Sequence, residues 1–331
     1  MTKTVASAPG KIVLSGEYAV LDGAPAVCMA VDRRARATVR TSDADFSTVE
    51  AAAHTNTIGQ FRVSDGVLQW LQGQEDFGVI DSLWRIAGAD DSLSYSISLD
   101  SSEFIDRESG AKTGIGSSAA ITVALAAAVT GASDGFAMTS IAQRAHADLQ
   151  GGVGSGVDVA CSIAGGLIEY RIEGASVSQL KWPEGLKARL VWTGSSASTR
   201  DKLSLLGATV SKPSRVRLVA ASEDIALTWR SGNADRLIAD YHDYIECLRE
   251  FSIDHDLGIF DAGHADIQRV ANADNLVYKP CGAGGGDVGI VFGTDTLRLD
   301  KFATQIAGKY KILDWRLTEA GATIEESKAE Q

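Results

Sequence analysis

The run Lys112-Thr113-Gly114-Ile115-Gly116-Ser117-Ser118-Ala119-Ala120, continuing into Ile121-Thr122-Val123-Ala124-Leu125-Ala126-Ala127-Ala128-Val129, restricts this chain more than any other segment. Alanine and leucine favour a helix, serine is a favoured helix cap, and two glycines free the backbone for a sharp turn just ahead. A helix opened this way turns unpaired N–H groups and the positive end of its dipole toward the glycine loop, which makes an anion site. A capped structural helix accounts for the same residues, so the loop needs support from elsewhere in the chain.

Two better-known phosphate motifs do not fit. A P-loop needs G-x-x-x-x-G-K-[ST], and no Lys-Ser or Lys-Thr pair here follows the required glycines. Gly114, Gly116 and Ala119 satisfy G-x-G-x-x-[GA], and Asp134 falls at the acidic spacing of a dinucleotide fold. That fingerprint must follow a buried apolar strand, whereas residues 101–110 are polar and loop-like.

The 331 residues suggest about two domains, and 45% hydrophobic residues are ample for a core. A net charge of -12 argues against general affinity for nucleic acid or an anionic membrane, both of which need a basic patch. Cys28, Cys161, Cys247 and Cys281 are scattered without metal-like spacing, which fits a reducing cytoplasm. No signal-peptide pattern is read at the start, and no apolar run reaches spanning length. His54, His146, His242, His255 and His264 form no ligand pattern, so ordinary surface or satisfied histidines are expected.

The N-terminus reads as strand, turn and strand, with Pro9-Gly10 either an ordinary bend or a turn that aims Lys11 into a site. Further strands are expected at 26–31 and 35–39, short helices at 66–71 and 82–87, and a strand at 95–99. Trp70 and Trp84 could flank a base, although tryptophan at helical spacing is more often core. A helix over 138–149 leads to a second glycine cluster, Gly151-Gly152-Val153-Gly154-Ser155-Gly156-Val157-Asp158, with a helix after it. Asp158 is then either an N-terminal cap or a carboxylate beside a phosphate site. A boundary is placed between 173 and 187, dividing the chain into 1–180 and 181–331. Beyond it come a strand at 188–192, helices at 215–229, 234–250 and 264–271, and a strand at 276–278. A third glycine cluster, Gly282-Ala283-Gly284-Gly285-Gly286-Asp287, precedes a strand at 288–292, a helix at 296–307 and a strand at 310–315. The acidic tail from Glu325 is expected to fray.

Three glycine motifs in this order, the first being Pro9-Gly10-Lys11 with Gly16-Glu17-Tyr18-Ala19-Val20, resemble the GHMP kinases over nearly the whole chain. Within that superfamily the chain is most similar to the phosphomevalonate kinases. The shared features are Lys112-Thr113, Gly154-Ser155-Gly156-Val157-Asp158, Trp192-Thr193-Gly194 with Ala197-Ser198-Thr199, and Asp287 after Gly284-Gly285-Gly286. Mevalonate kinases usually carry a His-Gly-Asn/Thr-Pro run before Ser-Gly-x-Asp and a glutamate upstream that helps hold magnesium. This chain has Gly151-Gly152-Val153-Gly154 and Ala147-Asp148 in those regions, and it departs from common family residues at Cys281 and Val157.

The resemblance implies a two-domain α+β fold, the first domain like ribosomal protein S5 domain 2 and the second ferredoxin-like, with ATP and Mg²⁺ between them. It implies that Gly114, Ile115, Gly116, Ser117, Ser118 and Ala119 hold the nucleotide phosphates, that Ser118 or Ser117 reaches Mg²⁺, and that Lys11 and Asp158 are catalytic. Lys112 joins them as a cation for a phosphorylated small-molecule acceptor. Glu17, Tyr18, Ser155, Gly156, Ser198, Thr199, Lys279, Gly284, Gly285 and Asp287 are the expected acceptor-binding set. A cytoplasmic monomer or homodimer converting phosphomevalonate to diphosphomevalonate in isoprenoid precursor synthesis follows from the resemblance. Mevalonate kinase or another small-alcohol GHMP kinase is the alternative, and a non-catalytic regulator of this fold is the alternative of another class.

Overall fold

The segment expected to turn at Pro9-Gly10 is one continuous strand, β1 (Thr2–Ser15), in the computed structural model of the protein. Its pairing with β2 (Ala26–Ser42) shifts register between Pro9 and Gly10, an irregularity that accommodates a residue without an N–H to donate. The structure describes residues 2–52, 57–65, 67–87, 92–131, 135–152, 154–197, 199–207 and 212–329. Gly66, Asp134, Val153, His54 and Ser198, named above, lie outside them.

The chain continues through β3 (Ser47–Ala52), β4 (Ile58–Ser64), β5 (Val67–Gln72), α1 (Gly78–Ala87), β6 (Ser94–Asp100), α2 (Ser117–Thr130), α3 (Gly135–Leu149) and α4 (Val157–Ala164). Next come β7 (Leu167–Arg171), β8 (Ser176–Leu180), β9 (Lys187–Trp192), α5 (Thr199–Gly207), α6 (Pro213–Ser231) and α7 (Ala234–Asp254). The last elements are α8 (His264–Ala273), β10 (Val277–Pro280), β11 (Val288–Gly293), α9 (Thr296–Ile306), β12 (Lys311–Leu313) and β13 (Thr323–Ala329).

Two further expectations fail. Of the stretch at 66–71, the described part from Val67 on is not helical: β5 pairs antiparallel with β4, placing Leu68 and Trp70 half-buried on one face and leaving Val67 and Leu71 exposed. The period-two alternation prevails because that face has Phe61 and Phe77 to pack against. Trp84 sits in the same core, so neither tryptophan is free to flank a base. The described part of the acidic tail, to Ala329, does not fray either. β13 pairs antiparallel with β1, Glu326 lies 2.5 Å from Lys3, and Glu325 lies 3.4 Å from Arg36, so backbone pairing and opposed charges order an edge whose composition alone reads as solvated.

The first sheet runs β13-β1-β2-β6-β3-β4-β5, with β7 on the N-terminal half of β2 and β8 beside it. α2 lies against β1 and β2 with α3 and α4 alongside, and its small side chains let these layers approach closely. The second sheet, β10-β11-β9-β12, is antiparallel and carries α8 and α9. Trp229 of α6, Tyr241 of α7 and Phe292 of β11 form its aromatic centre, the last two rings stacked at 5.0 Å. One hydrophobic cluster joins Ile12, Leu14 and Val27 to these aromatics, so the two sheets are packed as one α+β body. No helix among the described residues is long and apolar enough to cross a membrane.

Candidate active site

α2 is capped by a glycine, not by a serine. Gly116 is the N-cap at φ 90° without a side-chain cap bond, and the N–H of Ala120 closes the first turn onto its carbonyl at 3.1 Å. The amides ahead of Ala120 are left for a ligand. The Ser117 and Ser118 hydroxyls, released from capping, have no hydrogen-bond partner among the described residues. Gly114 and Gly116 are both required by close approach. A Cβ on Gly116 would lie 2.9–3.3 Å from the Lys11 side chain, and one on Gly114 would lie 2.2–2.6 Å from that of Asp287.

β1 brings Lys11 to this loop. Its N–H donates to the carbonyl of Ile115 at 2.8 Å, and its Nζ lies 3.0 Å from Asp158 Oδ1. Burial alone would lower the Lys11 pKa, but the Asp158 carboxylate, by charge and hydrogen bond, overcomes it and holds the pKa above the ordinary lysine value. Asp158 is not a cap: Gly156 takes that position at φ 79°, and the carboxylate, in the first turn of α4, faces the lysine. Tyr170 fixes the preceding loop by donating to the carbonyl of Ser155 at 2.9 Å. His146 of α3 is buried near the same pair, and burial lowers its pKa, keeping the ring neutral at pH 7.

The third glycine cluster closes the opposite wall. Asp287 has φ 59°, its N–H donates to the carbonyl of Ser195 at 2.6 Å, and Oδ1 accepts from the N–H of Ala197 at 3.3 Å. Burial raises the pKa of this carboxyl, while the Ala197 amide, Lys11 and Lys112 pull it back. Tyr18, itself at φ 63°, donates to the carbonyl of Ala283 at 2.6 Å and ties this wall to the start of the chain.

Lys11, Glu17, Tyr18, Lys112, Gly114, Gly116, Ser117, Ser118, Ala119, Ser155, Gly156, Asp158, Thr199 and Asp287 thus converge on one cavity of about 290 Å³. Four expected residues do not line it. The side chain of Ile115 is buried in the core and only its carbonyl serves the site. Gly284 and Gly285 pack on Ile259 and beside Lys202. Lys279 is fully buried and paired with Glu17, whose other oxygen accepts from Tyr244 at 2.6 Å. This pair braces the first loop against β10 and offers the acceptor no charge. Lys279→Met should therefore cost stability, by about 3–5 kcal/mol, because it leaves Glu17 buried without its cation. The double variant with Glu17→Gln should cost less, and urea unfolding checks both.

His146, Gln150, Ser196, Leu203, Cys281 and Ala283 also line the cavity, and the sequence did not identify them. The i, i+4 spacing of His146 and Gln150 at the end of a helix was the available signal. Among the described residues no group of three or more His, Cys, Asp or Glu is placed to hold a metal ion. Mg²⁺ needs no such cage, since one or two side chains suffice when phosphates complete its shell. The unpartnered Ser117 and Ser118 hydroxyls at the helix start, with carboxylates at Asp158 and Asp287 in the same cavity, fit that role.

No protein-family model matches the chain. It is 32% identical to the phosphomevalonate kinase of Streptomyces sp. (strain CL190) over 334 residues, covering 86% of this chain and 88% of that protein. It is 34% identical to the mevalonate kinase of Methanothermobacter thermautotrophicus over 170 residues, half of each chain. In three dimensions it resembles the phosphomevalonate kinase of Streptococcus pneumoniae, solved with phosphomevalonate and AMPPNP, at a TM-score of 0.78 and 19% identity, covering 95% of this chain and 99% of that one.

Proposed function

Because this chain belongs to the phosphomevalonate kinase family of the GHMP kinases, we propose that it transfers the γ-phosphoryl group of ATP to the phosphate of phosphomevalonate, giving diphosphomevalonate and ADP. The observation that carries this reading is the Lys11–Asp158 pair, 3.0 Å apart, in the same cavity as the Gly114–Gly116 loop and the start of α2.

Phosphoryl transfer asks mainly for positioning and charge stabilisation. The amides before Ala120 and the α2 dipole take the nucleotide phosphates, and Ser118 or Ser117 would hold Mg²⁺. When bound, that ion neutralises charge on the phosphate oxygens. A phosphomonoester has its second pKa near about 6, so the acceptor is already largely dianionic at pH 7. Proton removal is therefore a minor need, and bringing two polyanions together is the obstacle. Lys11 supplies a cation that Asp158 holds in place, and Asp287 faces the same lysines from the other wall.

Lys112 is exposed at the cavity edge and makes no ion pair among the described residues. It supplies charge that an alcohol acceptor would not require. Lys112→Ala should lower kcat/KM for phosphomevalonate by about tenfold to a hundredfold, the scale of a charge-assisted contact. Wild type should use mevalonate poorly, because the missing phosphate leaves these cations without a partner. ATP turnover with a panel of small acceptors tests the proposal. Equal efficiency on mevalonate would remove the phosphate acceptor, and absence of turnover with every acceptor would remove the kinase.

A further inference from the structure

A second cavity of about 250 Å³ opens beside the first, lined by Gln143, Arg144 and Tyr170 and sharing His146, Gln150, Ser155 and Gly156 with it. The shared residues are the wall next to Asp158, so the two spaces meet on the acceptor's side of the transfer centre. An acceptor whose phosphate lies at Lys11 and Asp158 cannot extend toward the glycine loop of α2, which the nucleotide phosphates fill. One exit for its other end runs past Ser155 and Gly156 into the second cavity.

That exit is built from hydrogen-bond donors around one cation. Arg144 makes no ion pair or hydrogen bond among the described residues, in a chain whose net charge is -12. Both glutamines fold onto the glycine loop. A Cβ on Gly154 would lie 2.3 Å from Gln150 Oε1, and one on Gly156 would lie 3.9 Å from Gln143 Nε2. Among the described residues no carboxylate lines this cavity. Burial lowers the pKa of His146, so its ring adds no charge here at pH 7. A guanidinium presents paired N–H donors that match a planar carboxylate, and amide side chains complete such a shell.

We propose that this second cavity binds the carboxylate end of the acceptor, with Arg144 as its counter-ion and Gln143 and Gln150 as supporting donors. The inference rests on the acceptor reading above and adds that the enzyme recognises its substrate at both ends. Lys11 and Lys112 read the phosphate, and Arg144 reads the acid. An acceptor with a phosphate but no carboxylate then lacks one of its two anchors.

Steady-state kinetics with phosphomevalonate and with its primary amide, which keeps the shape but loses the charge, tests it on wild type, Arg144→Ala and Arg144→Lys. Wild type should prefer the acid by about tenfold to a hundredfold. Arg144→Ala should lose that preference through KM for the acceptor, with KM for ATP and the thermal midpoint unchanged. Arg144→Lys should restore part of it, since a point charge replaces a fork. An Arg144→Ala enzyme that keeps the wild-type preference, or a wild type indifferent to the amide, overturns the subsite. Mevalonate and its amide run in parallel separate this from the reading beneath it. If wild type turns over mevalonate instead, the phosphate acceptor fails while the same carboxylate comparison still decides the subsite. If no acid of either kind is phosphorylated, both fall.

Discussion

Asp158→Asn should leave Mg-ATP affinity nearly intact and lower turnover by at least about a hundredfold, the scale of a positioned acid–base group. Asn keeps the size and an acceptor oxygen but removes the charge that stands 3.0 Å from Lys11 Nζ. In the wild type this carboxylate outweighs the effect of burial and keeps Lys11 protonated. Without it, burial is the largest remaining influence, and burial lowers a lysine pKa. The sign follows: the variant should lose activity further as pH rises through the lowered Lys11 pKa, whereas wild type stays flat over that range with respect to this group. A pH–rate profile beside an ATP titration checks both parts. A folded variant with near-normal turnover would leave Asp158 no part in transfer.

Gly116→Val should reduce Mg-ATP affinity by more than about a hundredfold, since several charge-assisted amide contacts are lost together. Two independent features require glycine there. The backbone is at φ 90°, which a β-branched residue adopts only with strain. The new Cβ would also meet the Lys11 side chain at 2.9–3.3 Å, so the lysine must move as well. Nucleotide binding and turnover should therefore fail in one variant, unlike Asp158→Asn, which separates them. Calorimetry with circular dichroism as the folding control decides it, and unchanged affinity in a folded variant would place the nucleotide elsewhere.

Much of this was legible in the residues. The three glycine clusters, the alanine-rich helix and the Lys11 and Asp158 positions could be read because they rest on local chemistry: dihedral freedom, helix propensity and motif order. The helices at 215–229 and 234–250 were readable for the same reason, as each carries its own apolar stripe.

Partner-dependent features were not legible. The stretch at 67–72 has apolar residues that suit a short helix, and only the neighbouring β4 and the rings of Phe61 and Phe77 make it a strand. Glu325 and Glu326 look solvated until Arg36 and Lys3 stand across from them. Lys279 belongs to a motif near the site, yet the fold turns it inward onto Glu17, 262 residues away in the chain. His146 and Gln150 became site residues because α3 ends beside α4, a packing that no spacing rule encodes. The sequence by itself determined which backbone segments could approach a phosphate, because that is a property of each residue's own dihedrals. Only the tertiary structure decided which charges meet, because a buried lysine or carboxylate is held by whichever opposite charge the packing brings within a few ångströms.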